Sequence, residues 1–169
     1  AIMPIHYGGQ SAEMEKITKI AQNNGLLVFE DAAPAAGATF QNKKVGGIGD
    51  AGAFSFFPDK NMTTGEGGML TTNSDEIAEK AQILKRNGAK GRYNHIEIGW
   101  NFKMPDPNAA LGISQLKKLP FTIKEKNRLA ENYTNIISKE IDQIITPKIK
   151  QGCLHTFNLY SIRFENQLI

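Results

Sequence analysis

The sequence predicts an α/β layered domain, on three observations. Apolar runs of strand length, Leu26-Leu27-Val28-Phe29 and Ala51 to Phe57, alternate with stretches of helical periodicity. A helical pattern from about Ser11 separates the apolar Ala1 to Ile5 from Leu26 to Phe29, which makes a βαβ unit with a parallel strand pair and a right-handed crossover. Apolar residues are 40% and charged residues 22% of 169, an ordinary globular balance that is enough for one core.

Along the chain, Ala1 to Ile5 reads as a short strand ending at the turn signal Tyr7-Gly8-Gly9. The helix near Ser11 sets Met14, Ile17, Ile20 and Ala21 on one stripe and stops at Gly25. Leu26 to Phe29 is apolar throughout, as a strand buried on both faces would be. Asp31 heads a small-residue loop to Ala38, and Gly46 to Gly52 turns the chain into the next strand. A second loop, Pro58 to Gly68, precedes a short strand at Met69 to Thr72. Asn73 and Glu76 have capping-box spacing for a helix that buries Ile77, Ala78, Ala81 and Leu84. Asp106-Pro107 reads as a helix start, with Asp as cap and Pro in the first helical position. A long helix from Thr122 to about Lys139 carries Leu129, Tyr133 and Ile136 in register, and Phe157 to Phe164 reads as a closing strand.

Composition narrows the function classes. Lys plus Arg is 20 against 17 Asp plus Glu, and a net charge of +3 with interspersed signs gives no basis for nucleic-acid or anionic-membrane binding. No apolar run approaches the roughly 20 residues of a membrane span, and no segment reads as a secretory signal, so a soluble cytoplasmic protein is expected. The single Cys153 excludes an internal disulfide and a CxxC metal site, and His6, His95 and His155 lack ligand spacing, so no metal is expected. The chain opens without Met and stops at Asn166-Gln167-Leu168-Ile169 in strand-like sequence, so both ends read as cut.

Two patterns compete for the chemistry. Gly47-Ile48-Gly49-Asp50-Ala51-Gly52 matches Gly-x-Gly-x-x-Gly, but a dinucleotide fingerprint needs these glycines after a strand and at a helix start. Here they precede the β-prone Ala53 to Phe57, so the motif reads as a turn. The second pattern is positional. Asp31 follows one strand, and Ser55 and Lys60 lie at or just past the end of another, the edge where open parallel sheets bind ligands. An acid, a hydroxyl and an amine there suit a ligand with a ring nitrogen, a phosphate and an electrophilic carbon. Position alone leaves open the blander alternative of a solvated lysine and an aspartate capping a turn.

The residues around these groups resemble a family. Glu30-Asp31-Ala32-Ala33-Pro34-Ala35-Ala36-Gly37, followed by Gly49 to Gly52 and Ser55-Phe56-Phe57-Pro58-Asp59-Lys60-Asn61-Met62-Thr63-Thr64-Gly65-Glu66-Gly67-Gly68, is similar to the DegT/DnrJ/EryC1/StrS aminotransferases. Gly99-Trp100-Asn101-Phe102 and Ala109 to Leu116 resemble the next block, and the ordered likeness covers nearly the whole chain. The resemblance implies a three-layer α/β/α sandwich with a mostly parallel sheet, the truncated large domain of a pyridoxal-phosphate-dependent transferase. Residues 1–120 would belong to that large domain, and 121–169 to a connecting helix and the start of a small domain.

The resemblance also names roles. Lys60 stands where the family has its Schiff-base lysine, the catalytic residue. Asp31 stands at the aspartate that keeps the pyridine nitrogen protonated, and Ser55 at a hydroxyl on the cofactor phosphate. Pro34 occupies a place beside the ring where many members have His or Gln, and Asn101 matches an asparagine that reaches the phosphate from the other subunit. His155 and Asn158 lie in the segment bordering the sugar-nucleotide pocket, with Asn158 where histidine is frequent. The implied function is transfer of an amino group from an amino acid such as glutamate to a nucleotide-linked keto sugar, in amino-sugar or surface-polysaccharide biosynthesis, by a homodimer with a shared site. Family members are longer and supply part of the phosphate grip upstream, so weak or absent cofactor binding is expected of this stretch alone. Two alternatives are a regulatory or assembly protein on the same fold, and a cofactor-dependent sugar dehydratase. The dehydratases replace the lysine with histidine, and Lys60 argues against that branch.

Overall fold

The computed structural model describes residues 1–164, so the strand-like end at Asn166 to Ile169 lies outside them. In chain order come a 3-10 turn at Tyr7–Gly9, α1 (Met14–Asn23), β1 (Phe29–Asp31), β2 (Thr39–Phe40), β3 (Lys43–Lys44), β4 (Ala51–Ser55) and β5 (Gly68–Thr72). Then follow α2 (Asp75–Leu84), α3 (Asp106–Glu140), β6 (Ile144–Ile145), β7 (Cys153–Leu154) and β8 (Arg163–Phe164). The central sheet runs β1-β4-β5. Ile2 and Ile5 bridge Val28 and Asp31 in parallel, so the amino-terminal run lies beside β1 and α1 connects the two as a βαβ unit. β4 is parallel to β1 but antiparallel to β5, which makes the sheet mixed at that edge.

Several elements shift from their expected bounds for identifiable reasons. Helix α1 begins at Met14, after Ser11 has turned its hydroxyl to the Ala12 carbonyl. Met14 and Ala21 are buried as expected, but Ile20 is exposed. The strand expected at Leu26 to Phe29 forms three residues later, and Leu26 and Leu27 stay exposed because the Leu26 amide still bonds Ala21 at the helix end. The α2 cap is Ser74, whose Oγ accepts the Ile77 amide at 3.3 Å, so Asn73 and Glu76 do not form the capping box. At α3, Pro105 is the N-cap and Asp106 is already helical.

The largest difference is that α3 is one helix of 35 residues that runs through Pro120, where two helices were expected. The boundary placed at residue 120 thus falls inside a continuous element. The face it buries is Leu119, Ile123 and Ala130, whereas Leu129, Tyr133 and Ile136 are exposed. The closing strand shrinks to Arg163–Phe164, because Phe157 sits at φ 44, a left-handed conformation no strand continues through. Inside the fold, Met14, Ala21 and Val28 pack α1 on β1, and Ala36, Phe56, Met62, Leu119 and Ile123 pack α3 on the loops after β1 and β4.

Candidate active site

Strand alternation divides β1 and β4 into two faces. In the parallel register Asp31 stands opposite Ala53, so Asp31, Ala53 and Ser55 share one face, and Glu30 shares the other with Gly52 and Phe54. Asp31 and Ser55 therefore lie on one face at the carboxyl ends of adjacent strands, as the positional reading required. Asp31 uses one carboxylate oxygen to accept the Ala33 amide at 3.1 Å. Ser55 Oγ accepts the Phe57 amide at 3.3 Å, which leaves its own proton to donate. Pro34 lies half-buried in the turn that follows β1.

Lys60 stands in the turn after β4, with its amide bonded to the Phe57 carbonyl. Its Nζ lies 3.2 Å from Asp59 Oδ1, and its side chain is one-fifth exposed. The loop around it is fastened at several points. Thr63 Oγ1 donates to the Phe56 carbonyl, and Asn108 in the first turns of α3 donates to the Thr64 and Glu66 carbonyls at 2.7 and 3.3 Å. Gly67 has φ 153, and a side chain there would strike Thr64 Oγ1 at 2.4 Å. A rigid loop thus holds the amine, with the acid and the hydroxyl on the neighbouring strand ends.

The other sequence candidates are placed differently. Asn101 is exposed beside the stacked Trp100 and Phe102 rings, bridges Arg86, and has no hydrogen bond to Asp31, Ser55 or Lys60. His155 is buried, stacks on Phe157 at 4.0 Å, and accepts the Phe157 amide at Nδ1, so Nε2 carries the proton in the neutral ring. Burial pushes its pKa down to about 4. Asn158 has a buried Oδ1 with no hydrogen-bond partner, an acceptor left open in the segment expected to border the substrate.

The sequence reading missed the group behind the site. Glu30 and His6 are buried, and their side chains meet at 2.9 Å. Gly46 donates to Glu30 Oε2 at 2.8 Å, and Ile48 and Gly49 each donate to Oε1 at 2.7 Å. The glycine motif is therefore a turn, as read, and its backbone amides hold the protein's own carboxylate. Burial alone would raise the Glu30 pKa, but the bonds from His6 and the three amides outweigh it and hold the carboxyl below its ordinary range. The Ala12 amide donates to His6 Nδ1, which fixes the proton on Nε2, facing Glu30. The available signal was an acid inside an apolar strand, directly before Asp31.

An apolar cavity of about 570 Å³ lies elsewhere, against Phe54, Phe56, Met62, Met104 and Leu119 under α3. Phe54 is on the face opposite Asp31 and Ser55, so this cavity lies on the other side of the sheet from them. Among the described residues, no helix is long and apolar enough to cross a membrane.

A family model, the DegT/DnrJ/EryC1/StrS aminotransferase family, matches residues 1–168, and the chain belongs to that family. It is 40% identical to the pleiotropic regulatory protein of Geobacillus stearothermophilus over 96% of this chain and 44% of that protein. It is 38% identical to the GDP-perosamine synthase of Caulobacter vibrioides, with the same coverage of 96% and 44%. Its fold matches that of Helicobacter pylori PseC, an aminotransferase involved in the biosynthesis of pseudoaminic acid, with a TM-score of 0.91 and 34% identity over 98% of this chain and 45% of that one. The fold class implied by the resemblance is the one found. The chain spans about 45% of the length of the curated relatives it matches.

Proposed function

We propose that the protein is a pyridoxal-phosphate-dependent aminotransferase that transfers an amino group from an amino-acid donor, glutamate, to a nucleotide-linked keto sugar. The observation that carries this reading is the donor set on one sheet edge: a carboxylate with a spare oxygen at Asp31, a hydroxyl proton at Ser55 and a primary amine at Lys60. That set fits the cofactor's ring nitrogen, phosphate and aldehyde in kind and number. When bound, the cofactor supplies an aldehyde that amines condense with and a ring that takes up electron density.

The chain's own groups divide the remaining work. Asp31 holds a proton on the ring nitrogen, and its fixed backbone, tied to Pro4 and His6, orients the carboxylate. Ser55 donates to a phosphate oxygen. Lys60 would hold the cofactor through Nζ, and as a free amine it would move a proton at the substrate carbon. Pro34 packs beside the ring without donating a hydrogen bond. At the substrate side, the open Asn158 Oδ1 accepts from a sugar or base donor, and His155 has only Nε2 to offer because Nδ1 is engaged. The exposed Asn101 and its apolar neighbours fit a role in the second subunit's site, so the working unit is a homodimer, in the cytoplasm.

Borohydride reduction of the full-length protein in the presence of pyridoxal phosphate, followed by peptide mass spectrometry, tests the reading. A pyridoxyl adduct on Lys60 is expected; a modification spread over surface lysines and absent from Lys60 would sink it. The relative named as a regulatory protein favours a second reading, a regulator on the same fold. A biological role that survives Lys60→Ala intact would select that second reading over the first.

A further inference from the structure

Lys60 is followed by a side chain the chemistry above does not use. Asn61 is buried, and both ends of its amide are engaged: Nδ2 donates to the Thr156 carbonyl at 3.2 Å, and Oδ1 accepts from Lys126 of α3. Thr156 is itself fully buried, and its amide donates to the Gly9 carbonyl at 2.9 Å. Its backbone is therefore held from two sides, by the Lys60 loop and by the first turn of the chain.

The next residue shows what that grip maintains. Phe157 has φ 44, an outlier for a bulky aromatic residue, and such strain persists only where the surroundings over-determine it. The holders are all present. The Phe157 amide bonds His155 Nδ1 at 2.9 Å, Asn127 of α3 donates to the His155 carbonyl at 2.8 Å, and the Leu159 amide reaches the Gly8 carbonyl at 3.1 Å. Relaxing this turn would move Asn158, whose open acceptor it presents.

We propose that Asn61 is a positioning residue that couples the placement of Lys60 to the strained turn at Phe157, so that a substrate engaging Asn158 acts on the lysine loop through the Thr156 carbonyl. The proposal rests on the reading of Lys60 as the cofactor-bearing amine. A fastening that served stability alone would loosen both segments independently; a coupling makes one perturbation depend on the other.

The test is a double-mutant cycle in the full-length protein, read as the rate at which pyridoxal phosphate and borohydride label Lys60. Asn61→Asp keeps the side-chain size and the bond from Lys126 but sets a second acceptor against the Thr156 carbonyl. Phe157→Gly takes the left-handed φ without strain and removes the stack on His155. Each substitution is expected to slow labelling about tenfold, with the double variant no slower than Asn61→Asp alone, the non-additivity expected of coupled sites. Labelling unchanged in either single variant, or effects that multiply in the double, overturns the coupling. Should Asn61→Asp fail to fold, Lys126→Met reports the same link, with Lys126→Arg restoring the rate. A wild-type chain that gives no Lys60 adduct overturns the cofactor reading, and the coupling with it; equal rates in wild type and variants overturn the coupling alone.

Discussion

Glu30 and Asp31 are adjacent carboxylates in one short strand, and the two faces of the sheet treat them in opposite ways. Behind the sheet, Glu30 has both oxygens saturated by three backbone amides and His6, in a site closed to water. In front, Asp31 accepts one amide and Ser55 accepts another, and Lys60 meets only its neighbour Asp59. A polar group that is buried and fully paired holds a fold together, because leaving any one partner unmet carries the whole desolvation cost. A polar group whose pairing is half complete has capacity left for a ligand. By this criterion the conspicuous glycine motif belongs to the scaffold, and the plainer acid, hydroxyl and amine are the groups left for the proposed site.

Substitutions on the two faces should separate accordingly. The largest effect is expected from Lys60→Ala: turnover falls by several orders of magnitude, because under the proposed function one side chain would both anchor the cofactor and move the proton. Its urea midpoint should stay near wild type, since the amine is bonded only to the exposed Asp59. A variant that lost stability together with activity would dissolve the contrast. Glu30→Gln should do the reverse. The Gln amide must point one N–H at either the Gly46 and His6 donors or the Ile48 and Gly49 donors, and His6 cannot switch its proton without orphaning the Ala12 amide. A loss of about 2–3 kcal/mol is expected, the cost of leaving buried donors without an acceptor. Equilibrium urea unfolding would measure it, and a loss under 1 kcal/mol would mean that the cluster is slack.

Acid titration sharpens the comparison further. His155 has a folded pKa of about 4 against an ordinary 6.5, so between these values the unfolded chain binds the extra proton. Stability should be complete above pH 6.5, decline as the pH falls through that window and level off near pH 4, by at most about 3 kcal/mol. Glu30 acts in the same direction at lower pH: its folded pKa is lowered too, so its contribution is present above its ordinary value and is lost only at more acid pH. Urea midpoints stepped from pH 7 to pH 3 should therefore resolve two stages, with the first removed by His155→Asn.

The smallest contrast lies within the glycine turn. A Cβ at Gly49 would stand 2.6 Å from the Val28 carbonyl, whereas one at Gly47 meets only the Lys44 carbonyl at 3.7 Å. Gly49→Ala should cost about 1–3 kcal/mol by overpacking, and Gly47→Ala should fall within about 0.5 kcal/mol of wild type. Thermal melts of the two variants would check the difference.

The placements that could be read in advance are those whose meaning is local. Asp31, Ser55 and Lys60 follow apolar runs, and position relative to a strand end is a one-dimensional property. The βαβ unit was equally legible, because its period changes along the chain. What the sequence concealed depends on partners far away. His6 and Glu30 are 24 positions apart, and Asn61 and Thr156 are 95 apart, so neither residue of either pair advertises the other. The periodicity of α3 misled in a different way. Leu129, Tyr133 and Ile136 make a proper apolar stripe, but which stripe a helix buries is decided by what lies beside it, and here Leu119, Ile123 and Ala130 face the core. The helices expected from Asp106 and from Thr122 are one, because packing around Leu119 and Ile123 outweighs the backbone bond that Pro120 removes.

The uninterrupted course of α3 has one more consequence, which concerns how such a chain can change its length. Asn108 touches the lysine loop and Asn127 touches the His155 segment, both from the same helix. At about 1.5 Å per residue, the stretch between them is a ruler of roughly 28 Å. Inserting or deleting one residue there would swing one contact about 100° around the helix axis relative to the other. Surface loops such as Gly91 to Asn94 can absorb a length change, but this interval cannot. An indel scan along the chain should find its sharpest intolerance between residues 108 and 127, in a helix with much of its surface open to solvent.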